Sequence, residues 1–281
     1  MSDEYREAHE PAVDYERPPV VETILGVQFD PLQGLSNAHQ GLFWDSLGAE
    51  WPTLSDSPPL EPQFERFTGE NWAPPGIAFR LVQTMSSRLQ IKNAEENRLI
   101  QVQNGRLHLN WLGKGGANYP RFSRMLTEFL EIVERFNRFI ADRHVGAFRP
   151  NQWEVTYINQ IPQGTVWNSP ADWGFFLPLS NPRDYGTSAQ LESFNGEWHF
   201  VIPNNRGRLH IQWQHGKIQD APKEMVGLTL TARGPLDSDP NDFKGNLVRL
   251  RAGLEIGHQA IVLSFRDLMS AEANRYWGLN Q

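Results

Sequence analysis

Gly105-Arg106-Leu107-His108-Leu109-Asn110-Trp111 and Gly207-Arg208-Leu209-His210-Ile211-Gln212-Trp213 decide how the fold is read, because five of their seven positions are identical. Each alternates apolar and polar residues, the pattern of a strand with one face in a core. Leu107, Leu109 and Trp111 fall on one face and Arg106, His108 and Asn110 on the other. The second stretch separates Leu209, Ile211 and Trp213 from Arg208, His210 and Gln212 in the same way. Asn104-Gly105, just before the first stretch, is a strong two-residue hairpin signal.

Working outward, the surroundings of the two stretches run in the same order. Val20–Phe29 is rich in β-branched residues and bounded by Pro18-Pro19 and Asp30-Pro31, which predicts a strand. Ser36 is placed to cap a helix through Leu47, with Ala38, Leu42, Phe43 and Leu47 on one face. Residues 52–76 hold six prolines and read as an irregular arm. Short runs at Ile77–Met85, Arg88–Lys92, Leu99–Asn104 and Arg106–Leu112 form a predicted meander. From Pro120 a long helix follows, its apolar residues (Phe122, Met125, Leu126, Phe129, Leu130, Val133, Phe136, Phe139, Ile140) three and four apart. The second half offers a strand over 152–161, a meander over 188–214, a strand Met225–Ala232 and a helix Phe243–Met269. The fold class expected is α+β, two related halves, each an antiparallel sheet packed against a long helix. The domains expected are a disordered or loosely docked tail over 1–17, a first half over 18–150, and a second half over 151–281 with an aromatic insertion at 162–185. That insertion is expected to hold a short helix at Pro170–Trp173.

Composition narrows the function classes. The chain has 281 residues, no cysteine, and 26 Lys+Arg against 33 Asp+Glu, a net charge of −7. Thiolate metal sites, disulfides and cysteine nucleophiles are excluded, and an RNA partner would need a local basic patch against the overall charge. The polar, acidic opening of the sequence carries no apolar targeting segment, and no apolar run reaches membrane-spanning length. A cytoplasmic location away from membranes is the expectation. No H-E-x-x-H, EF-hand or G-x-S-x-G pattern occurs, and Gly113-Lys114-Gly115-Gly116 lacks the Ser/Thr that a phosphate loop places after its lysine. No catalytic residue, metal or cofactor is assigned.

Two residue groups remain as candidates. If the halves face each other, Arg106, His108, Asn110, Arg208, His210 and Gln212 can converge on a groove suited to an anionic ligand or a single-stranded RNA backbone. A His108/His210 pair could also act as acid and base in RNA cleavage. The alternative is an ordinary solvated sheet face. Trp72, Trp167, Trp173 and Trp277 fall where partial exposure is expected, which suits aromatic anchors for another protein. His258, inside the stripe of the last helix, reads as a core histidine.

Pro18-Pro19-Val20-Val21-Glu22 leading into Leu25-Gly26-Val27-Gln28-Phe29, Trp153 to Asn159, His258-Gln259-Ala260-Ile261 with Phe265, and Trp277-Gly278 together resemble an uncharacterised family of about 250-residue proteins distributed sporadically among prokaryotes. The resemblance brings no catalytic residues. Its sporadic distribution implies an accessory role in defence or toxin–antitoxin systems. The leading expectation is therefore a non-enzymatic interaction or regulatory protein with another protein as partner. The alternative is a ligand- or RNA-binding module, or less directly an endoribonuclease, using the groove between the halves.

Overall fold

The strand expected at Val20–Phe29 forms over those residues and lies at the middle of a sheet. The computed structural model describes residues 13–67, 87–113, 118–176, 192–217 and 223–280. The expected strand Ile77–Met85, Trp72, and Lys114 to Gly116 lie outside them. In chain order the elements are β1 (Asp14–Tyr15), β2 (Val20–Phe29), α1 (Asn37–Leu47), β3 (Thr53–Ser57), β4 (Arg88–Lys92), β5 (Arg98–Gln103), β6 (Arg106–Leu112) and α2 (Phe122–Asp142). There follow β7 (Pro150–Pro162), α3 (Trp173–Phe176), β8 (Asn195–Ile202), β9 (Gly207–Lys217), β10 (Glu224–Pro235), α4 (Phe243–Leu268), α5 (Ala271–Tyr276) and β11 (Leu279–Asn280).

The protein is α+β, and its main sheet is one antiparallel sheet of nine strands in the order β3-β4-β5-β6-β2-β7-β10-β9-β8. This corrects the expectation of one sheet per half. β2 pairs with β7 along nearly its whole length, from Val20 opposite Asn159 to Phe29 opposite Pro150. The two matching heptapeptides also occupy unlike places: β6 adjoins β2, whereas β10 stands between β9 and β7. By position in the sheet, β6 matches β10 and β5 matches β9.

One face of the sheet carries the apolar members of each alternation, Leu25, Val27, Leu107, Leu109, Trp153, Val155, Leu228, Leu230, Leu209 and Ile211, all buried. α2 and α4 lie on it. The stripe read for α2 is the buried one, and Phe136 packs on Phe29 at 5.5 Å between ring centres. α4 starts at Asp242, whose carboxylate accepts from the Gly245 N–H at 2.8 Å, one of the donors a helix start leaves free. In α1, Phe43 and Leu47 are buried as expected, but Leu42 is exposed.

Trp153 sits where α4 crosses the sheet, in a slot that four glycines leave open. A Cβ on Gly253 would stand 2.6 Å from its Cγ, on Gly257 2.6 Å from its Cζ3, on Gly234 2.6 Å from its Cε2, and on Gly207 2.9 Å from its Cζ2. A large ring therefore fills the space where four side chains are missing.

Two local expectations are revised and one is met. Thr53–Ser57, inside the supposed irregular arm, is an edge strand pairing with β4; its sequence, TLSDS, has no apolar alternation because four of its five residues are exposed. Residues 14–15 pair with 279–280, and Tyr15 is buried with its hydroxyl donating to Asn274 at 2.6 Å, so this stretch of the supposed tail is docked. The insertion holds a helical turn at Pro170–Asp172 that leads into α3.

Candidate functional site

The alternation read from the sequence puts Arg106, His108 and Asn110 on the face opposite α2 and α4, together with Arg208 and His210, but this face is not an ordinary solvated one. Arg106, His108, Asn110 and Arg208 are all buried, and the segment 58–67 lies against the face. Gln103 and Gln152 hold that segment through its backbone: Leu60 N–H donates to Gln103 Oε1 at 2.8 Å, and Glu65 N–H to Gln152 Oε1 at 2.9 Å. Gln28 and Gln152 both donate to the Gln63 carbonyl.

Strand register lays the polar side chains out in rows. The central row runs Gln101, His108, Gly26, Glu154, Arg233, Arg208 across β5, β6, β2, β7, β10 and β9. Gly26 is the key to its centre. A Cβ there would lie 2.6 Å from His108 Cδ2 and 3.5 Å from Glu154 Cβ, so the His108 ring occupies the place of the missing side chain. The ring thereby reaches toward Glu154 across the intervening strand, Nε2 to Oε1 at 4.0 Å. That is too long for a hydrogen bond. His108 Nε2, Glu154 Oε2 and the Nε and Nη2 of Arg106 are buried without a hydrogen-bond partner among the described residues. Burial holds the His108 imidazole down to about 4, with Arg106 and Arg88 adding to the effect and Glu154 opposing it. The ring is neutral at pH 7.

At the other end of the row, Glu65 reaches in from the arm. Its carboxylate pairs with Arg208, accepts from His210 Nε2 at 2.7 Å, and lies 3.2 Å from Arg233 Nε. Burial alone would raise its carboxyl group, but the His210 hydrogen bond and the charges of His210, Arg233 and Arg208 outweigh it and hold the group down at about 2. Arg233 also donates to Gln63 of the arm. His210 Nδ1 meets His199 Nδ1 at 2.7 Å, and His199 Nε2 meets Glu197 at 2.9 Å.

The candidates drawn from the sequence divide accordingly. Arg208 and His210 meet at Glu65, while Arg106 and His108 form a second cluster with Glu154. Asn110 accepts from Gln101 at 2.9 Å and donates to Glu22, and Gln212 stays exposed on the same face. His108 and His210 do not come together: three strands stand between β6 and β9, a span of roughly 19 Å at the usual strand spacing. The tryptophan expectation is corrected. Trp167, Trp173 and Trp277 are buried, Trp167 edge-on to Trp173 with His215 against both, and Trp277 against Phe265. Glu65, Arg233 and His199 were not singled out in the sequence. Alternation in Met225–Ala232, carried one residue further, assigns Arg233 to the polar face, but nothing local marks Glu65 within a proline-rich arm.

Among the described residues, no three His, Asp or Glu side chains gather into a metal-binding group, and no helix is long and apolar enough to cross a membrane. His258 is half-buried beside the core: its ring stacks on Phe122 at 3.9 Å, and burial lowers it to about 4. His108 and His258 are thus neutral in the folded protein at a pH where they are protonated when unfolded. A histidine depressed in this way contributes stability above its ordinary value near 6.5 that is lost as pH falls toward 4. The melting temperature is expected to fall across that window, and His108→Gln and His258→Gln should each flatten the fall. A profile level between pH 6.5 and 5 would contradict both assignments. Comparison of this chain with protein-family models, with curated proteins and with solved structures returns no match.

Proposed function

We propose that this protein is a non-enzymatic, ligand-binding regulatory module that takes an anionic small molecule on the polar sheet face, across the β2–β7 seam. The observation carrying this reading is a cluster of covered guanidinium groups that are incompletely paired. Arg106 and Arg208 are buried and Arg88 and Arg233 half-buried on this face, the carboxylates acting on them among the described residues are Glu65 and Glu154, and Arg106 Nε and Nη2 and Arg88 Nε are unpaired there. Buried charges without partners are costly, and an arginine stays charged when buried. An anion bringing two or more oxygens would satisfy them in the forked geometry that guanidinium groups favour. Glu65 supports the same reading, since it shows how Arg208, Arg233 and His210 together hold a carboxylate.

The burial of Trp167, Trp173 and Trp277 removes three of the four tryptophans offered as anchors for a protein partner, which favours the ligand reading. We also infer that the halves arose by duplication. In support, strands β4-β5-β6-β2 and β8-β9-β10-β7 mirror each other about the seam, each set followed by a long helix. The binding face then straddles the junction of two equivalent units.

Calorimetric titration with pyrophosphate and with citrate tests the proposal. Micromolar binding is expected for at least one, weakened at least about a hundredfold, a loss of two charge-assisted contacts, in Arg106→Ala/Arg208→Ala. Glu65→Gln should bind the probe more tightly, because the competing carboxylate is gone. Unchanged affinity in the double variant, or binding of a single-stranded RNA oligonucleotide with none of either small anion, would overturn the proposal.

A further inference from the structure

On the opposite side of the sheet, between α2, α4 and the docked segment 13–18, lies a cavity of about 310 Å³. Its walls are mainly apolar, with Val20, Phe122, Leu230, Ile261, Val262 and Phe265 among them. Asp14, Arg121, Ser123 and Asn159 also line it, and a connected series of polar groups interrupts the apolar wall: the Tyr119 hydroxyl is 2.8 Å from the Tyr157 hydroxyl, which is 2.8 Å from His258 Nδ1. Burial pushes both tyrosine hydroxyls upward, so the phenols keep their protons, and it keeps His258 neutral. Imidazole nitrogen is a much better acceptor than a phenol oxygen, so Tyr157 donates to Nδ1 and the ring's hydrogen sits on Nε2. Nε2 has no hydrogen-bond partner among the described residues, and the ring lines the cavity.

We infer that this cavity is a second binding site, for a small, mostly apolar molecule that presents one neutral hydrogen-bond acceptor, such as a ketone or ester carbonyl, to His258 Nε2. Apolar cavities of roughly 150 Å³ hold benzene, so this one suits a ligand of about twelve non-hydrogen atoms. A few polar groups in an apolar cleft of this size is the usual composition of small-ligand sites, where burial supplies affinity and the polar groups fix orientation. The site is independent of the anion reading, since it uses the other face of the sheet and none of its residues.

The wall formed by residues 13–18 is held in place at three points. β1 pairs with β11, Tyr15 donates to Asn274, and Arg121 donates to Asp14 and to the Tyr15 carbonyl. Arg121 has φ of 69°, a left-handed conformation that a non-glycine residue holds only when its surroundings enforce it. The mouth of the cavity is thus set by specific contacts.

Benzylacetone, butylbenzene and phenylbutanoate, which share an aromatic body and differ in carrying a carbonyl, nothing or a charge, are the probes. Calorimetry is expected to rank benzylacetone first, with the other two at least about tenfold weaker, as one hydrogen bond warrants. Nitrogen-15 spectra should show His258 Nδ1 as the unprotonated nitrogen and an Nε2 shift on addition of benzylacetone but not of butylbenzene. His258→Leu should keep butylbenzene binding and lose the preference for the carbonyl. Ser123→Trp, an exposed change at the rim, and Val262→Phe should abolish binding of all three. The inference is overturned if no probe binds the wild type, if phenylbutanoate binds best, or if both blocking variants, folded by circular dichroism, bind undiminished.

Discussion

Trp153→Ala is expected to lower unfolding stability by about 3–5 kcal/mol, the cost of emptying a buried aromatic site that cannot collapse. The site cannot collapse because its walls are backbone: Gly207 and Gly234 in the sheet and Gly253 and Gly257 in α4 have no side chains to move inward. The same geometry gives a test of the reverse kind. Glycine to alanine in a helix ordinarily stabilises by up to about 1 kcal/mol. Gly253→Ala should instead destabilise by about 1–3 kcal/mol, because its Cβ would press on the indole. In the Trp153→Ala background that penalty should vanish, leaving the helix-forming advantage of alanine. Urea denaturation of the four proteins of this cycle measures the coupling. Additive effects of the two changes would show that the glycine does not serve the ring.

The second large effect belongs to Glu65. Glu65→Ala leaves Arg208 and Arg233 without their shared carboxylate in a covered site, and breaking a buried pair on one side costs about 3–5 kcal/mol. Part of the strain can be relieved if the arm lifts and admits water, so protease cleavage within 58–67 should accelerate along with the loss in stability. The wild-type contribution has a defined pH range. Because the Glu65 carboxyl is held at about 2, its share is complete above its ordinary value near 4.5 and disappears as pH falls toward 2. The variant should lack that acid-side loss. A stability within about 0.5 kcal/mol of wild type, the scale of an ordinary surface substitution, would show that the arm carries no such weight.

Much of this fold is legible in single stretches. β2 is bounded by prolines and by Asp30, and α2 repeats its apolar residues so regularly that its buried stripe could be written down directly. What local pattern does not carry is which strand pairs with which. The identity of Gly105–Trp111 and Gly207–Trp213 suggested equivalent strands, yet the sheet places β6 beside β2 and β9 beyond β10. Alternation identified the polar face correctly but not its burial, which comes from the arm crossing over it. Arg106 and His108 therefore came into view from sequence, while Glu65 did not: its role depends on contacts with residues far along the chain. The tryptophans failed for a related reason, since loop position predicts exposure only when the loop does not pack back on the core.

The pairing of β2 with β7 also bears on how the chain acquires its structure. β2 is made before both of its neighbours: β6 follows it first, but its other edge waits for β7, and Tyr15 waits for Asn274, 259 residues on. Pairings between such distant segments require large loops to close before any contact rewards them, which slows folding. During synthesis one edge of β2 stays unpaired until residues 150–162 have emerged. The central strand that makes the finished sheet continuous is thus left with an open edge while much of the chain is being made.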